Sequence, residues 1–449
     1  MSACLIMFTN TYPFNGGEYF IENEIDIVSR YFDKIMIFAL DADRNAPLTR
    51  SIPGNASAMI TGKYSRKRER AGDLVFAVLN MPFAGKKDGE TDIRKKLFRE
   101  YFRARSERQF KQVLENISAE ELKEYDDVII YSYWFFVPAS VAVKLKEYLL
   151  KMGVKVKKAV SRAHRYDLYE EGNSLKYLPE REYLLKNLDA VFTCSKDGER
   201  YLKEKYPAFA EKIYYSPLGT KDHGVVSHNK TDKFTIVTCS SLNPVKRVWR
   251  VADALSLYMG EKEIKWIHIG GSGKKLQKLE KYTENKLSGK NAAFEFKGQM
   301  TNDKVNDFYL SNPPDLFLNV SESEGVPVSI MEAASFGIPV LATDCGGTGE
   351  VVESSVTGKL IPKDFSDSEL ISEIKNFMFL NENDIKRMSE AGRSMWAEKY
   401  NAEKILLFGS RARGDNHERS DIDLAIYGMP EENQAHFWCD IDDLPTLLK

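Results

Sequence analysis

Leu316-Phe317-Leu318-Asn319-Val320-Ser321-Glu322-Ser323-Glu324-Gly325-Val326-Pro327-Val328-Ser329-Ile330-Met331-Glu332-Ala333-Ala334 decides how the rest of the chain is read. The apolar run 316–320 has the length of a buried strand, and the stretch from Val328 reads as a helix. A strand, a glycine-containing loop and a helix start, in that order, present unpaired backbone N–H groups and the positive end of a helix dipole. That arrangement suits a pyrophosphate. Glu324 lies in the loop and Glu332 about one turn into the helix. Carboxylates repel phosphate, so their place in such a site is to accept hydrogen bonds from sugar and ribose hydroxyls. A surface carboxylate pair flanking a structural turn is the bland reading of the same spacing.

Working outward, short apolar runs alternate with amphipathic stretches. Strands are expected at 4–8, 34–40, 127–131, 155–162 and 190–194, and again at 234–239, 264–269, 293–296, 316–320 and 339–343. This βαβ rhythm implies parallel sheets covered on both faces, with ligands at the carboxyl ends of the strands. It restarts after Pro217-Leu218-Gly219-Thr220 and the polar segment 221–233, which reads as a hinge. The expected organisation is therefore an N-terminal domain over 1–217, a C-terminal domain over 218–402 and a short α/β appendage over 403–449. A cleft between the two larger domains is where a site is expected.

Composition agrees with two globular domains: 449 residues, 43% hydrophobic and 29% charged. The formal charge of -2 supplies no global basic field, so nucleic acid is not an expected partner. Five scattered cysteines without a C-x-x-C pair suggest neither a zinc site nor a disulfide framework. The N-terminus lacks a basic, apolar leader and no run of about 18 apolar residues occurs, so a soluble, cytoplasmic protein is expected.

The E-x7-E spacing of Glu324 and Glu332, with Gly325, Pro327 and Ser329 between them, resembles the signature of the family 4 glycosyltransferases. The resemblance covers about residues 1–400 and implies the GT-B fold, two Rossmann-like domains with a cleft between them. It implies a retaining transfer of a sugar from a nucleoside diphosphate donor, of UDP or GDP type, to a glycan or lipid-linked acceptor, as in surface polysaccharide biosynthesis. By the same resemblance Glu324 contacts the donor sugar, Glu332 the ribose, and the amides of Gly325 and Val326 the phosphate, with Pro327 shaping the loop.

Other segments fall in the order such a family shows. Ser240-Ser241-Leu242-Asn243-Pro244-Val245-Lys246-Arg247 stands where an Arg and a Lys usually clamp the diphosphate. Lys246 fits the lysine; Ser241 replaces the arginine, leaving Arg247 to reach in from the next position. A solvated basic pair is the alternative. Gly270-Gly271 lets a backbone approach the ligand, and Phe296-Lys297-Gly298-Gln299-Met300 resembles the base-reading turn. Gly16 and Gly17, in the loop before Glu18, do for the first domain what Gly271 does for the second, unless they form only a tight turn.

Ser161-Arg162-Ala163-His164-Arg165-Tyr166-Asp167 ends a buried strand, from which catalytic groups project. His164 is the candidate for contacting the donor sugar, against a purely structural histidine, and Asp167 either orients it or holds an acceptor hydroxyl. No D-x-D pair occupies the donor loop, so no metal and no further cofactor are expected; cationic side chains and helix-terminal amides take the charge of the departing diphosphate.

Two segments stand apart. Residues 63–111 carry 15 Lys/Arg and 7 Asp/Glu, interleaved with aromatics in Leu97-Phe98-Arg99-Glu100-Tyr101-Phe102-Arg103. A basic amphipathic helix resting peripherally on an anionic inner membrane face, and an ordinary solvated helix, both fit. The tail Ile405-Leu406-Leu407-Phe408-Gly409-Ser410 followed by Ser420-Asp421-Ile422-Asp423-Leu424 resembles a minimal nucleotidyltransferase, with Asp421 and Asp423 on one strand face as a shared metal requires. A third carboxylate on a later strand is missing, so the tail is expected to be inert. The competing functions are another GT-B enzyme such as a nucleotide-sugar epimerase, and a nucleotidyltransferase or nucleotide-binding module led by the tail.

Overall fold

The computed structural model describes residues 2–15, 17–81, 92–226 and 232–402. Asp421 and Asp423, the whole tail, and Gly16 lie outside them. The described chain divides into two compact units, 2–216 and 217–402.

The first unit runs β1 (Ala3–Thr9), α1 (Ile21–Val28), β2 (Lys34–Ala39), β3 (Ala56–Ile60), α2 (Arg66–Asn80), α3 (Ile93–Leu114) and α4 (Ala119–Leu122). It continues with β4 (Asp127–Ser132), α5 (Val137–Lys151), β5 (Val156–Ala163), α6 (Arg181–Asn187), β6 (Ala190–Thr193), α7 (Lys196–Lys205) and β7 (Ile213–Tyr215). The seven strands form one parallel sheet in the order β3-β2-β1-β4-β5-β6-β7. Cys4, Ile6 and Phe8 of β1 and Val128 and Ile130 of β4 are buried in one apolar cluster with α5. Such near-continuous apolar strands are what a sheet with two covered faces demands.

The second unit runs β8 (Lys233–Cys239), α8 (Trp249–Ser256), β9 (Glu263–Ile269), α9 (Gly273–Leu287), β10 (Ala292–Gly298), α10 (Asn302–Ser311) and β11 (Leu316–Asn319). Then follow α11 (Val328–Ser335), β12 (Val340–Asp344), α12 (Thr348–Val351), β13 (Gly358–Pro362), α13 (Asp367–Met378) and α14 (Glu382–Lys399). Its parallel sheet has the order β10-β9-β8-β11-β12-β13. Trp266 on β9 and Trp396 on α14 are buried on opposite sides of this sheet, each in its own apolar cluster.

Both orders reverse direction once, between β1 and β4 in the first sheet and between β8 and β11 in the second. Loops leaving the carboxyl ends of strands at such a reversal diverge to opposite faces and leave a crevice. The loops after β1, β4, β8 and β11 are therefore where ligand-binding side chains belong.

The segment expected to be a hinge is docked on the second unit over its described residues up to Val226. Thr220 exchanges backbone hydrogen bonds with Tyr400 and Ala402, its hydroxyl accepts from the Trp396 indole at 2.7 Å, and Val226 N donates to Phe336 O. Asp222 pairs with Arg393 at 2.6 Å.

Candidate functional site

In the second unit, five loops are laced together at the carboxyl edge of the sheet. Ser240 N donates to Ile269 O, Gly270 N to Gly298 O, Glu322 N to Val245 O and Gly347 N to Gly325 O, which ties the exits of β8, β9, β10, β11 and β12 to one another. Two glycines are obligatory there. Gly270 (φ 126°) and Gly346 (φ 55°) lie in left-handed backbone, and a Cβ on either would stand 2.0 Å from a carbonyl oxygen, that of Ser240 or Glu324. Gly271 (φ 77°) closes against Leu242.

The two loops at the strand reversal meet through their side chains. Lys246 Nζ donates to both carboxylate oxygens of Glu324, at 2.6 and 2.7 Å, and Asn319 Nδ2 donates to one of them at 3.2 Å. Glu324 is buried, while Lys246 keeps about a quarter of its side chain exposed. Glu324, Gly325, Val326 and Pro327 lead directly into α11, with Pro327 as its N-cap. Glu332, in the next turn, is also buried, and its Oε1 has no hydrogen-bond partner. Burial pushes its carboxyl up to about 7, with Asn302 at the start of α10 pulling the other way.

Charge at this edge is accordingly muted: one carboxylate is matched by an ammonium, and the other holds its proton well above the usual carboxylate range. A phosphate would meet little net repulsion. Ser241 and Gln299 are exposed, and Met300 packs partly against the apolar cluster beneath α11.

Arg247 is placed differently from its expected role. It sits in left-handed backbone (φ 46°), and its guanidinium donates to the carbonyls of Val320, Ser321 and Lys363 at 2.7–3.1 Å, with Phe365 beneath it. Three of its five N–H donors are held by carbonyls and an aromatic ring lies beneath it, so Arg247 staples the loop after β8 to that after β11.

In the first unit, the loops after β1, β4 and β5 converge. Glu18 (φ 57°) turns its carboxylate back into the loop, accepting from the amides of Asn10, Thr11 and Tyr12 at 2.6–2.9 Å and from the Trp134 indole N–H. Trp134 in turn lies 4.3 Å, centroid to centroid, from the ring of His164, which Tyr133 and Phe20 also flank. Gly17 lies beside Thr11, whose hydroxyl a Cβ would approach to 3.0 Å. Burial disfavours the His164 imidazolium, but Cys194 and the Asp167 carboxylate favour it, and the balance holds its pKa at about 9. Neither ring nitrogen has a hydrogen-bond partner, although Asp167 Oδ2 is 3.9 Å from Nδ1.

Asp167 is closed to an acceptor hydroxyl. It is inaccessible, and its two oxygens accept from His164 N at 2.6 Å and Phe135 N at 2.7 Å. It fixes the backbone at His164, while Arg181 bridges the carbonyls of Phe135 and Asp167. Glu18 and Trp134 are the residues that the sequence did not single out. Their only local signal is a carboxylate directly after paired glycines, and their partnership spans 116 positions.

With this geometry in place, comparison with known proteins becomes specific. Residues 221–395 match the family model for glycosyl transferases group 1. The architecture is GT-B. Sucrose-phosphate synthase from Thermosynechococcus elongatus superposes with a TM-score of 0.63 at 15% identity, over 92% of this chain and 97% of that one. The Anabaena protein HepE, solved in complex with UDP and glucose, gives 0.58 at 16% over 89% and 95%. The O-antigen biosynthesis glycosyltransferase WbnH of Escherichia coli is 28% identical over 204 residues, 44% of this chain and 55% of the relative. The chain thus spans about half the length of the curated relatives it matches. Residues 393–449 match the model for polymerase beta nucleotidyltransferases; the match begins inside α14 and from 403 onward falls outside the described residues.

Proposed function

We propose that the protein is a GT-B glycosyltransferase of the family 4 type, moving a sugar with retention from a UDP- or GDP-sugar to a glycan or lipid-linked acceptor in surface polysaccharide biosynthesis. The observation that carries this reading is the pairing of Lys246 with Glu324 at the head of α11, one helical turn from Glu332 with its unpartnered oxygen. The family model over 221–395 and the O-antigen relative support it.

On this reading the diphosphate lies at the N-terminus of α11, where the amides of Gly325 and Val326 and the ammonium of Lys246 share its charge. Glu332 accepts from ribose hydroxyls with its free oxygen. Glu324, already held by Lys246, orients that ammonium and accepts from the donor sugar. The turn at Gln299 and Met300 reads the base, with Ser241 and Gly271 lining the approach. As the sugar–diphosphate bond breaks, negative charge grows on the leaving phosphate, and Lys246 counters it without a metal ion. In the first unit, His164, cationic at neutral pH, is able to donate a hydrogen bond to a sugar hydroxyl.

The direct experiment is a calorimetric titration with UDP, GDP, ADP and their sugars, followed by anomeric analysis of the product by NMR with and without EDTA. Retention of configuration in the presence of EDTA supports the reading; inversion, or a product formed without any acceptor, replaces it. The reaction belongs, on the same proposal, at the cytoplasmic face of the inner membrane, with the enzyme held peripherally. The tail contributes no nucleotidyl transfer, and magnesium-dependent nucleotide incorporation that requires Asp421 or Asp423 would contradict this.

A further inference from the structure

In the basic segment, for which a membrane face and a solvated helix both fit, the aromatic stretch 97–103 is largely packed inward. Phe102 and Arg99 are buried, and Phe98 and Phe102 pack against Phe136. Much of the positive charge is matched internally: Arg70 and Arg105 pair with Asp41, Arg103 with Glu100 and Glu180, and Arg108 with Glu69 and Asp73.

The consequence is a helix turned inside out. α2 buries its two carboxylates, Glu69 and Asp73, against Arg108 of α3 and leaves its aliphatic residues outside. Leu74, Val75, Phe76, Val78 and Leu79 are all exposed, Val75 by 60% and Leu79 by 66%. No other helix among the described residues shows such a run. At 100° per residue, Lys67, Arg68, Ala71, Leu74, Val75, Val78 and Leu79 fall on one outward stripe, opposite the inward Glu69, Asp73 and Ala77. The stripe is cationic in its first turn, with Arg68 lying 4.2 Å over the exposed Tyr64 ring, and aliphatic in its last two. It contains no carboxylate.

We propose that the outer stripe of α2 docks on an anionic lipid bilayer, aliphatic end first. The charge pattern chooses this occupant. A lipid interface offers acyl chains to Leu74, Val75, Val78 and Leu79, and phosphate at headgroup depth to Lys67 and Arg68. A second copy of this chain would bring the same stripe, which has no carboxylate to answer those cations. The placement deepens the reading of a lipid-linked acceptor and rests on it only for its purpose, because vesicle binding needs neither donor nor acceptor.

The test is co-sedimentation of the full chain with phosphatidylcholine vesicles and with vesicles containing phosphatidylglycerol. Wild type is expected on the anionic vesicles, released by salt. The pair Val75→Asp and Leu79→Asp removes two inserted aliphatics and should weaken binding by roughly a hundredfold. The pair Lys67→Glu and Arg68→Glu should weaken it at least about tenfold, since each juxtamembrane cation contributes about that order. All four positions are exposed, so thermal stability and UDP titration should match wild type. Vesicle binding by both pairs equal to that of wild type, or none by wild type, overturns the proposal. So does a wild-type dimer that the Val75→Asp, Leu79→Asp pair converts to monomer. A failure of wild type to bind either UDP or GDP would instead count against the proposed function and leave this surface as it stands.

Discussion

Lys246 and Glu324 come from the two loops that leave the second sheet at its point of reversal, and the lysine grips both oxygens of the glutamate. Each residue makes the other tolerable: the buried carboxylate gains a counter-ion, and the ammonium is held at the mouth of α11. Removing one partner should therefore affect folding and chemistry together. Lys246→Ala is expected to cost about 2 kcal/mol of stability, because it strands a buried charge. Adding Glu324→Gln to it should restore most of that stability without restoring turnover, as thermal melts and donor-hydrolysis rates would reveal.

Glu332 makes stability depend on pH in a predictable direction. Its folded pKa, about 7, lies above its ordinary value of 4.5, so the folded state holds the proton more tightly. Its contribution is complete below pH 4.5 and is lost as pH rises through about 7. Glu332→Gln, which keeps the shape without the charge, should melt higher than wild type at pH 8 and nearly level with it at pH 4.5. A constant difference at both pH values would refute the assignment.

Arg247 should behave as a staple. Arg247→Ala loses three carbonyl contacts and should lower stability by about 2 kcal/mol, while UDP affinity measured well below the melting temperature stays within about threefold of wild type. A far larger loss of affinity at unchanged stability would return Arg247 to the diphosphate clamp.

For His164 the raised pKa of about 9 means that the charged ring, favoured by Cys194 and Asp167, persists through neutral pH. Turnover that depends on it should fall as pH rises through about 9, and His164→Gln should flatten that limb while reducing turnover at pH 7 tenfold or more. Glu18→Ala frees the Trp134 indole and the three amides of the first loop. It should shift tryptophan emission and lower kcat, and Glu18→Gln should recover only part of each.

The sheets were legible because their central strands are continuous apolar runs: Cys4 to Phe8, Val128 to Tyr131 and Leu316 to Leu318 have few other ways to be buried. The edge strands β3, β7 and β13 were not, because Ala-Ser-Ala-Met-Ile is half exposed, Ile-Tyr-Tyr is only three residues long, and Gly-Lys-Leu-Ile-Pro begins and ends in residues that strands avoid. The loop positions of Glu324, Lys246 and His164 and the helical position of Glu332 could be read from strand ends and spacing. Side-chain partnerships could not. Whether Arg247 faces a ligand or three carbonyls, and whether Asp167 is open or also held by the Phe135 amide, depends on neighbours more than thirty residues away. Which charges of the basic stretch 63–111 reach solvent was hidden for the same reason: composition counts charges, but pairing to Asp41, Glu69 and Asp73 decides which of them are exposed.

The central claim is that the head of α11 and Lys246 together hold a diphosphate. Calorimetric titration of wild type and Lys246→Ala with UDP- and GDP-sugars tests it most directly. Selective binding of one donor by wild type, weakened tenfold or more in Lys246→Ala at a temperature where both are folded, is the predicted result. Equal affinity in the two proteins, or no binding of any nucleoside diphosphate sugar by wild type, would contradict it.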